Sequence, residues 1–225
     1  MKAEPLRITV DASTQVSALL QAPPEARACY VLAHGAGAGM THPFMSAIAD
    51  GLAQRAIATL RYQFAYMERG SKRPDAPPLA HAVVRAACAE AARHLPQIAL
   101  VAGGKSFGGR MTSQAQSSTP LQNVRGLVFL GFPLHPAKQP SDTRAAHLQK
   151  VDLPMLFLQG TRDDLADMDL LRPLIARLAP RATLHEFEYA DHSFHVPASS
   201  GRKDAQVLEE LLDAIGRWCE ARVAR

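Results

Sequence analysis

Cysteine is scarce in this sequence, and long hydrophobic runs are missing altogether. The three cysteines, Cys29, Cys88 and Cys219, lie far apart and form no Cys-x-x-Cys pair. A disulfide scaffold is therefore excluded, and reduced thiols are expected. Residues 1–7 lack the apolar core of a secretory signal peptide, and no segment approaches the ~20 apolar residues that span a bilayer. We expect a cytoplasmic protein that does not interact with membranes.

Clusters of like charge are also missing. Charged residues make up 20% of the chain, the net charge is only +4, and the densest basic stretch is Lys72 and Arg73. Aromatic residues, at 6%, are not interleaved with basic ones as in single-strand binders, so nucleic acid is not an expected partner. The 47% hydrophobic content of 225 residues suits a single α/β domain over residues 1–225.

What the sequence does contain is an alternation of short apolar runs with helix-length segments. The runs fall at 28–33, 57–60, 98–102, 127–130, 155–158 and 183–189, and the intervening segments at 43–55, 79–95, 106–117, 168–178 and 204–223. This pattern predicts an α/β fold with a doubly wound, mostly parallel sheet flanked by helices. Residues 7–10 and 15–21 predict an N-terminal antiparallel ribbon.

The connection between the runs at 127–130 and 155–158 bears on substrate access. It has only about two dozen residues, several of them proline, with room for one short helix near 145–149. We therefore expect no cap domain and an open or shallowly covered site.

A Gly-x-Ser-x-Gly motif, Gly104-Lys105-Ser106-Phe107-Gly108, follows the run at 98–102 and opens a helix-length segment. This strand–turn–helix context is what a nucleophile elbow requires, because its serine sits in a strained turn that leaves no room for nearby side chains. We predict Ser106 as a nucleophile. The backbone N–H of Phe107, at the helix start, is predicted as one donor of an oxyanion hole.

The second oxyanion donor is expected from a loop of small residues, HGAGAG at 34–39, which follows the first core run. Small side chains let this backbone approach the top of the sheet. Ala36 is our choice for the donor, with Gly37 as the neighbouring alternative.

The glycines of these two segments do not have the spacing of a nucleotide-binding motif. A Walker A loop would need a glycine where Ala99 stands, and a dinucleotide fingerprint would need one at Met40 or, in the other register, at His42. We expect no cofactor.

The base and the acid are sought after the serine, because the chain order of a strand-end triad is Ser, then Asp or Glu, then His. The run at 155–158 leads into Asp163 and Asp164, and the next run leads into His192. We predict His192 as the base and Asp163 as the acid, with Asp164 left open. His192 and His195 also form a His-x-x-His pair, but no third ligand stands out, so no metal is expected.

Several blocks of the sequence resemble the lidless, dienelactone-hydrolase-like α/β-hydrolases, a group that includes a hydrolase-like domain of a chromatin-associated (non-specific lethal) complex. These blocks are RYQFAYME at 61–68, GGKSFGGR at 103–110, GFPLHP at 131–136, QGTRD at 159–163 and DHSF at 191–194. The resemblance spans about residues 28–220. It implies the α/β-hydrolase fold and a triad of Ser106, Asp163 and His192. Asp164 and Ala65 stand where this group usually has proline.

The leading functional prediction is a serine esterase that acts on a small-molecule acyl substrate. Met40, Tyr66 and Phe132, with Phe107, are predicted as apolar pocket walls, and core packing is the alternative for Tyr66 and Phe132. The alternative function, suggested by the complex subunit among the similar proteins, is a non-catalytic interaction module that keeps the fold.

Overall fold

An eight-stranded sheet with helices on both faces forms the frame of the molecule, which the computed structural model describes for residues 2–223. The strands are β1 Glu4–Thr9, β2 Gln15–Gln21, β3 Ala28–Ala33, β4 Ile57–Tyr62, β5 Ala99–Lys105, β6 Val124–Leu130, β7 Met155–Gly160 and β8 Ala182–Phe187. The α-helices are α1 Pro43–Ala53, α2 Ala65–Glu68, α3 Pro77–His94, α4 Phe107–Ser118, α5 Met168–Arg177 and α6 Asp204–Arg222. Two 3₁₀ helices span Thr143–Lys150 and Ala198–Ser200.

The strand order is β1-β2-β4-β3-β5-β6-β7-β8. The first two strands pair antiparallel with each other, β2 pairs antiparallel with β4, and every other pair is parallel. This confirms the predicted doubly wound, mostly parallel sheet and its antiparallel ribbon. The carboxyl ends of β3, β5, β6 and β7 therefore share one edge of the sheet, where ligand sites of open α/β sheets form.

Apolar side chains cover both faces of the sheet. On one face α3, α4 and α5 contribute buried residues such as Val83, Met111 and Leu171. On the other, α1 and α6 contribute Ile48 and Leu211 among others. Each such side chain stabilises the fold by about 1.5–3 kcal/mol relative to exposure. Because helices cover both faces of the sheet, the central strands carry apolar residues on both sides and appear in the sequence as continuous apolar runs.

The sequence pattern missed some boundaries. Strand β5 continues past residue 102 through two glycines to Lys105, α2 was not predicted, and the short helix expected near 145–149 is the 3₁₀ helix Thr143–Lys150. Glycine has low strand propensity, so the pattern ended β5 too early. Within residues 2–223 that 3₁₀ helix is the only helical element between β6 and β7, and no cap domain is present. None of the helices in this part of the chain combines the length and apolar character needed to cross a membrane.

Gly104, near the end of β5, occupies a position where no other residue fits. Its φ is +148°, and a Cβ there would lie 2.1 Å from the carbonyl oxygen of Ala33 on β3. Gly108, in the first turn of α4, meets the same residue, since its Cβ would lie 2.6 Å from that of Ala33. These two glycines let the turn between them, residues 105–107, sit directly on the sheet.

We predict that Gly104→Ala lowers the free energy of unfolding by about 3 kcal/mol or more, because the added methyl group collides with backbone in the centre of the sheet. The matched control is Gly216→Ala in α6. There a Cβ would meet only Arg55 Cδ, at 3.8 Å, and helix propensity favours a gain of about 0.5–1 kcal/mol. Urea denaturation of both variants tests this, and equal effects would contradict it.

Candidate active site

Ser106 stands in the turn between β5 and α4, in a strained backbone conformation. Its φ and ψ are 49° and −115°, a combination that a non-glycine residue adopts only when its surroundings impose it. Its N–H donates to the Leu130 carbonyl of β6 at 3.1 Å, and its own carbonyl accepts from the Arg110 N–H at 3.1 Å, which starts α4. The turn thus pushes the hydroxyl away from the sheet and places it at the N-terminus of a 12-residue helix.

The structure brings Ser106, His192 and Asp163 into one hydrogen-bonded row. His192 Nε2 lies 2.9 Å from Ser106 Oγ, and His192 Nδ1 lies 2.7 Å from Asp163 Oδ2. Because the carboxylate can only accept, Nδ1 carries the proton and Nε2 is free to accept one from the serine. This is the geometry of a nucleophile, its general base and the group that orients the base.

The two adjacent carboxylates have different surroundings. The Asp163 side chain is fully buried; Oδ1 accepts from the Leu165 N–H at 2.8 Å and Oδ2 from Gln159 Nε2 at 2.5 Å. Asp164 is exposed. The imidazole of His192 therefore faces Asp163, the residue preferred from sequence. Gln159 was missed, because a buried carboxamide in an apolar strand gives no chemical signal in the sequence.

The loop of small residues, 34–39, lies beside Ser106. Ala36 lines the same cavity as Ser106, whereas the N–H of Gly37 is engaged by the Tyr66 hydroxyl at 3.3 Å. This bond favours Ala36 over Gly37 as an oxyanion donor. The other predicted donor, the N–H of Phe107, is the first backbone N–H of α4, at the positive end of the helix dipole.

Buried polar side chains hold this loop at both ends. His34 donates from Nδ1 to the Gly35 carbonyl at 2.8 Å and accepts at Nε2 from the Phe64 N–H at 3.0 Å. Burial lowers the pKa of His34 to about 4, so the imidazole is neutral and holds this tautomer.

At the far end of the loop, the backbone of Met40 is held on both sides. Its N–H donates to Gln63 Oε1 at 2.9 Å, and its carbonyl accepts from Arg61 Nη1 at 3.3 Å. The same guanidinium nitrogen reaches Ser46 Oγ at 2.9 Å, which ties the loop to α1. Burial lowers the pKa of Arg61.

A cavity of about 410 Å³ opens beside Ser106 and His192. Its apolar lining comes mainly from Phe44, Met45 and Leu165. Phe44 also stacks on Phe194, with ring centroids 6.0 Å apart and planes 4° apart. The sequence did not point to these walls, because they come from the start of α1 and from the loop after β7, far from the motif.

The residues predicted as walls lie elsewhere. Phe132 is buried and packs edge-on against Phe129 and Phe157 in the core. Tyr66 is buried beneath the loop of small residues, with its hydroxyl on Gly37. Met40, Tyr66 and Phe132 are all absent from the lining of this cavity.

A second serine–histidine pair lies away from the cavity. Ser113 Oγ, on α4, is 2.7 Å from His147 Nε2 on the 3₁₀ helix Thr143–Lys150. Ser113 is fully buried, so no substrate can reach it. Burial, reinforced by the Arg110 cation, lowers the pKa of His147 to about 4. The pair therefore docks the two helices.

His195, the other half of the His-x-x-His pair, bonds through Nδ1 to Asp204 Oδ2 of α6 at 2.8 Å. That carboxylate raises the pKa of His195. Among residues 2–223, no group of three or more His, Cys, Asp or Glu side chains is arranged to hold a metal ion.

The neutral state of His34 makes the stability of the loop depend on pH. The pKa of His34 is about 4 in the folded protein against 6.5 for an unperturbed imidazole. Between these two pH values the unfolded chain binds a proton at His34 that the folded protein does not bind. The free energy of unfolding therefore decreases as the pH is lowered from 6.5 to 4. We predict that the stability advantage of wild type over His34→Gln shrinks by roughly 3 kcal/mol from pH 7 to pH 4.

Chemical denaturation across this pH range measures that change. His195→Gln is the control, because the pKa of His195 is shifted upward. The stability advantage of wild type over His195→Gln should show no such decline between pH 6.5 and pH 5. A constant difference between wild type and His34→Gln would show that His34 does not cause the acid loss.

Solved structures similar to this chain share its fold. A dienelactone hydrolase from Anabaena variabilis superimposes with a TM-score of 0.76 at 19% identity, covering 99% of this chain and 98% of that one. An α/β serine hydrolase without a lid from Xanthomonas campestris gives 0.73 at 18%, covering 97% and 95%. The esterase domain of a Rhodothermus marinus protein gives 0.75 at 16%, covering 100% of both chains.

The comparison with protein families gives a more specific result. The model of the alpha/beta hydrolase domain matches residues 26–220, which is most of the chain. The strand order and the turn at Ser106 agree with this match. The chain therefore belongs to the alpha/beta hydrolase domain family.

Proposed function

We propose that this protein is a serine hydrolase, similar to carboxylesterases, that cleaves a small ester, thioester or lactone through an acyl-enzyme intermediate. The observation that carries the proposal is the row of hydrogen bonds from Ser106 through His192 to Asp163, at 2.9 and 2.7 Å, on the rim of a cavity. A serine with a hydrogen-bonded, oriented base is the arrangement that activates a hydroxyl for acyl transfer.

In the first half of the reaction, Ser106 Oγ attacks the acyl carbon while His192 Nε2 takes the hydroxyl proton. The carbonyl electrons move onto the oxygen, where the N–H groups of Phe107 and Ala36 stabilise the oxyanion. When the tetrahedral intermediate collapses, the leaving group departs with the proton from His192. Asp163 stays ionised throughout and stabilises the imidazolium.

In the second half, water replaces the alcohol or thiol. His192 takes a proton from the water as its oxygen attacks the acyl carbon, and returns that proton to Ser106 Oγ as the carboxylic acid leaves. Since no cap covers the site within residues 2–223, water has direct access to the acyl-enzyme.

The cavity indicates the kind of acyl group. Phe44, Met45 and Leu165 offer apolar walls, and 410 Å³ accommodates a short or flat group. We therefore expect esters, thioesters and lactones of small carboxylic acids to be cleaved faster than long-chain ones.

The nucleophile is tested with a fluorophosphonate probe, which labels activated serines. We predict labelling of wild type and none of Ser106→Ala. Ser113→Ala is the matched control: it makes the same change at the other serine–histidine pair, whose serine is fully buried, and should keep the label. Labelling that persists in Ser106→Ala, or fails in wild type, contradicts the mechanism. A missing label together with a stoichiometric protein partner would support the non-catalytic interaction module instead.

The acid is tested by comparing Asp163→Asn with Asp164→Asn. An amide at position 163 carries no charge to stabilise the imidazolium. With its oxygen kept on the Leu165 N–H, its NH2 group faces Nδ1 and favours the wrong tautomer of His192, so we expect kcat to fall by about 10³–10⁴-fold. The exposed Asp164 should change kcat by less than about threefold. Initial rates on a panel of short-chain esters provide the measurement, and a larger loss in Asp164→Asn would reverse the assignment.

A further inference from the structure

Lys105, the residue before the nucleophile, is half-buried at the edge of the sheet, where it also lines the cavity beside Ser106. It ends β5, between the ends of β3 and β6. A Cβ at Gly35, just after β3, would lie 3.4 Å from Lys105 Cγ, and one at Gly131, just after β6, would lie 3.0 Å from Lys105 Nζ. The absence of side chains at these two positions opens a passage along which the lysine reaches across the sheet edge.

The ammonium group at the end of this passage touches the base loop, residues 191–195. Lys105 Nζ donates a hydrogen bond to the backbone carbonyl of His192. It also lies 5.5 Å from the centre of the Phe194 ring, within the range of a cation–π contact. The same Cβ at Gly131 would lie 3.4 Å from the His192 ring. The ammonium and the imidazole therefore lie on either side of one confined space.

The charge of Lys105 is retained despite its burial. Burial lowers its pKa to about 8, and the carboxylates of Asp163 and Asp191 oppose that shift. At neutral pH the group is therefore an ammonium, and its bond to a carbonyl is charge-assisted.

The base loop has other supports, but among residues 2–223 none of them holds the His192 carbonyl. The Asp191 carboxylate accepts from the N–H groups of Ser193 and His195 at 2.7 and 3.0 Å. The Phe194 N–H donates to the Asp191 carbonyl at 3.0 Å, with Phe194 at a φ of +64°. These bonds shape the turn from within. Two further contacts reach outside it, since His195 bonds to Asp204 of α6 and Phe194 packs against Phe187 of β8. Lys105 adds a tie to the end of β5 at the residue that carries the imidazole.

We propose that Lys105 is a positioning residue that fixes His192 relative to Ser106 by anchoring the backbone of the base loop to the end of β5. Nucleophile and anchor are consecutive residues of one chain segment, so the separation of serine and imidazole is set by a rigid strand end. The proposal deepens the proposed function and rests on it for its kinetic consequence. Its structural consequence, the placement of the imidazole, stands on its own.

The test uses Lys105→Met, which keeps an unbranched apolar stem but removes the ammonium group, and Lys105→Arg, which keeps a donor and the charge. The control is Arg85→Met, which also removes a cation from backbone carbonyls, those of Thr119 and Ala115, at the distant contact between α3 and α4. Unfolding midpoints of all variants are measured first, so that general destabilisation is known.

The first measurement is the low-field proton resonance of His192 Nδ1–H, assigned by its loss in Asp163→Asn. We expect it to broaden or vanish in Lys105→Met and to persist in Lys105→Arg and Arg85→Met. An unchanged resonance in Lys105→Met, or equal loss in Arg85→Met, overturns the proposal.

The second measurement is steady-state hydrolysis of a short-chain ester. Misplacement of a base by about 1 Å costs on the order of 100-fold, so we expect kcat of Lys105→Met to fall by about 10–100-fold, with KM changed by less than about threefold and partial recovery in Lys105→Arg. A kcat within about twofold of wild type overturns the proposal. If wild type shows no Ser106-dependent turnover, the proposed function fails while the resonance still decides the role of Lys105.

Discussion

At the end of β5 the backbones of neighbouring strands come so close that a Cβ at Gly104 would lie 2.1 Å from the Ala33 carbonyl. This close approach is the constraint on which the site depends. It lets α4 begin directly on the sheet, holds Ser106 at a φ of 49°, and aims the helix N-terminus at the space above the serine. Bulkier residues in place of Gly104 and Gly108 would push α4 away from the sheet and move the Ser106 hydroxyl out of its position.

Two buried side chains beside this elbow, Gln159 and His34, hold neighbouring loops and make hydrogen bonds at both of their polar atoms. Gln159 joins the Asp163 carboxylate to the Phe132 N–H. His34 joins the loop of small residues to Phe64, the residue that precedes α2. An unmade hydrogen bond at such a position costs about 1–3 kcal/mol. The bonds therefore favour one conformation of each loop, and this conformation fixes where Asp163 and the loop of small residues lie relative to Ser106.

The sequence predicted those features that are repeated or ordered along the chain. Continuous apolar runs predicted the parallel strands, and the motif around Ser106 followed by His192 predicted which strand ends meet, because parallel strands present their carboxyl ends at one edge. Asp163 was preferred over Asp164 but the sequence could not exclude Asp164, since burial at a turn depends on the surrounding tertiary structure. The cavity walls were missed for a similar reason: Phe44 and Leu165 are distant in sequence, and the aromatic character of Phe132 suited the core as well as a pocket.

The stacking of Phe44 on Phe194 joins the cavity to the base loop. Phe44 is a wall of the cavity, while Phe194 follows His192 by two residues and packs against Phe187 of β8. A smaller side chain at position 44 would enlarge the cavity, but it would also remove one of the two rings of a stack that steadies the loop of His192. Longer acyl chains would then fit, while the imidazole would be held less firmly. Met45 and Leu165 line the same space without forming part of that stack, so changes in these two side chains can reshape the cavity while the stack on the loop of His192 stays in place.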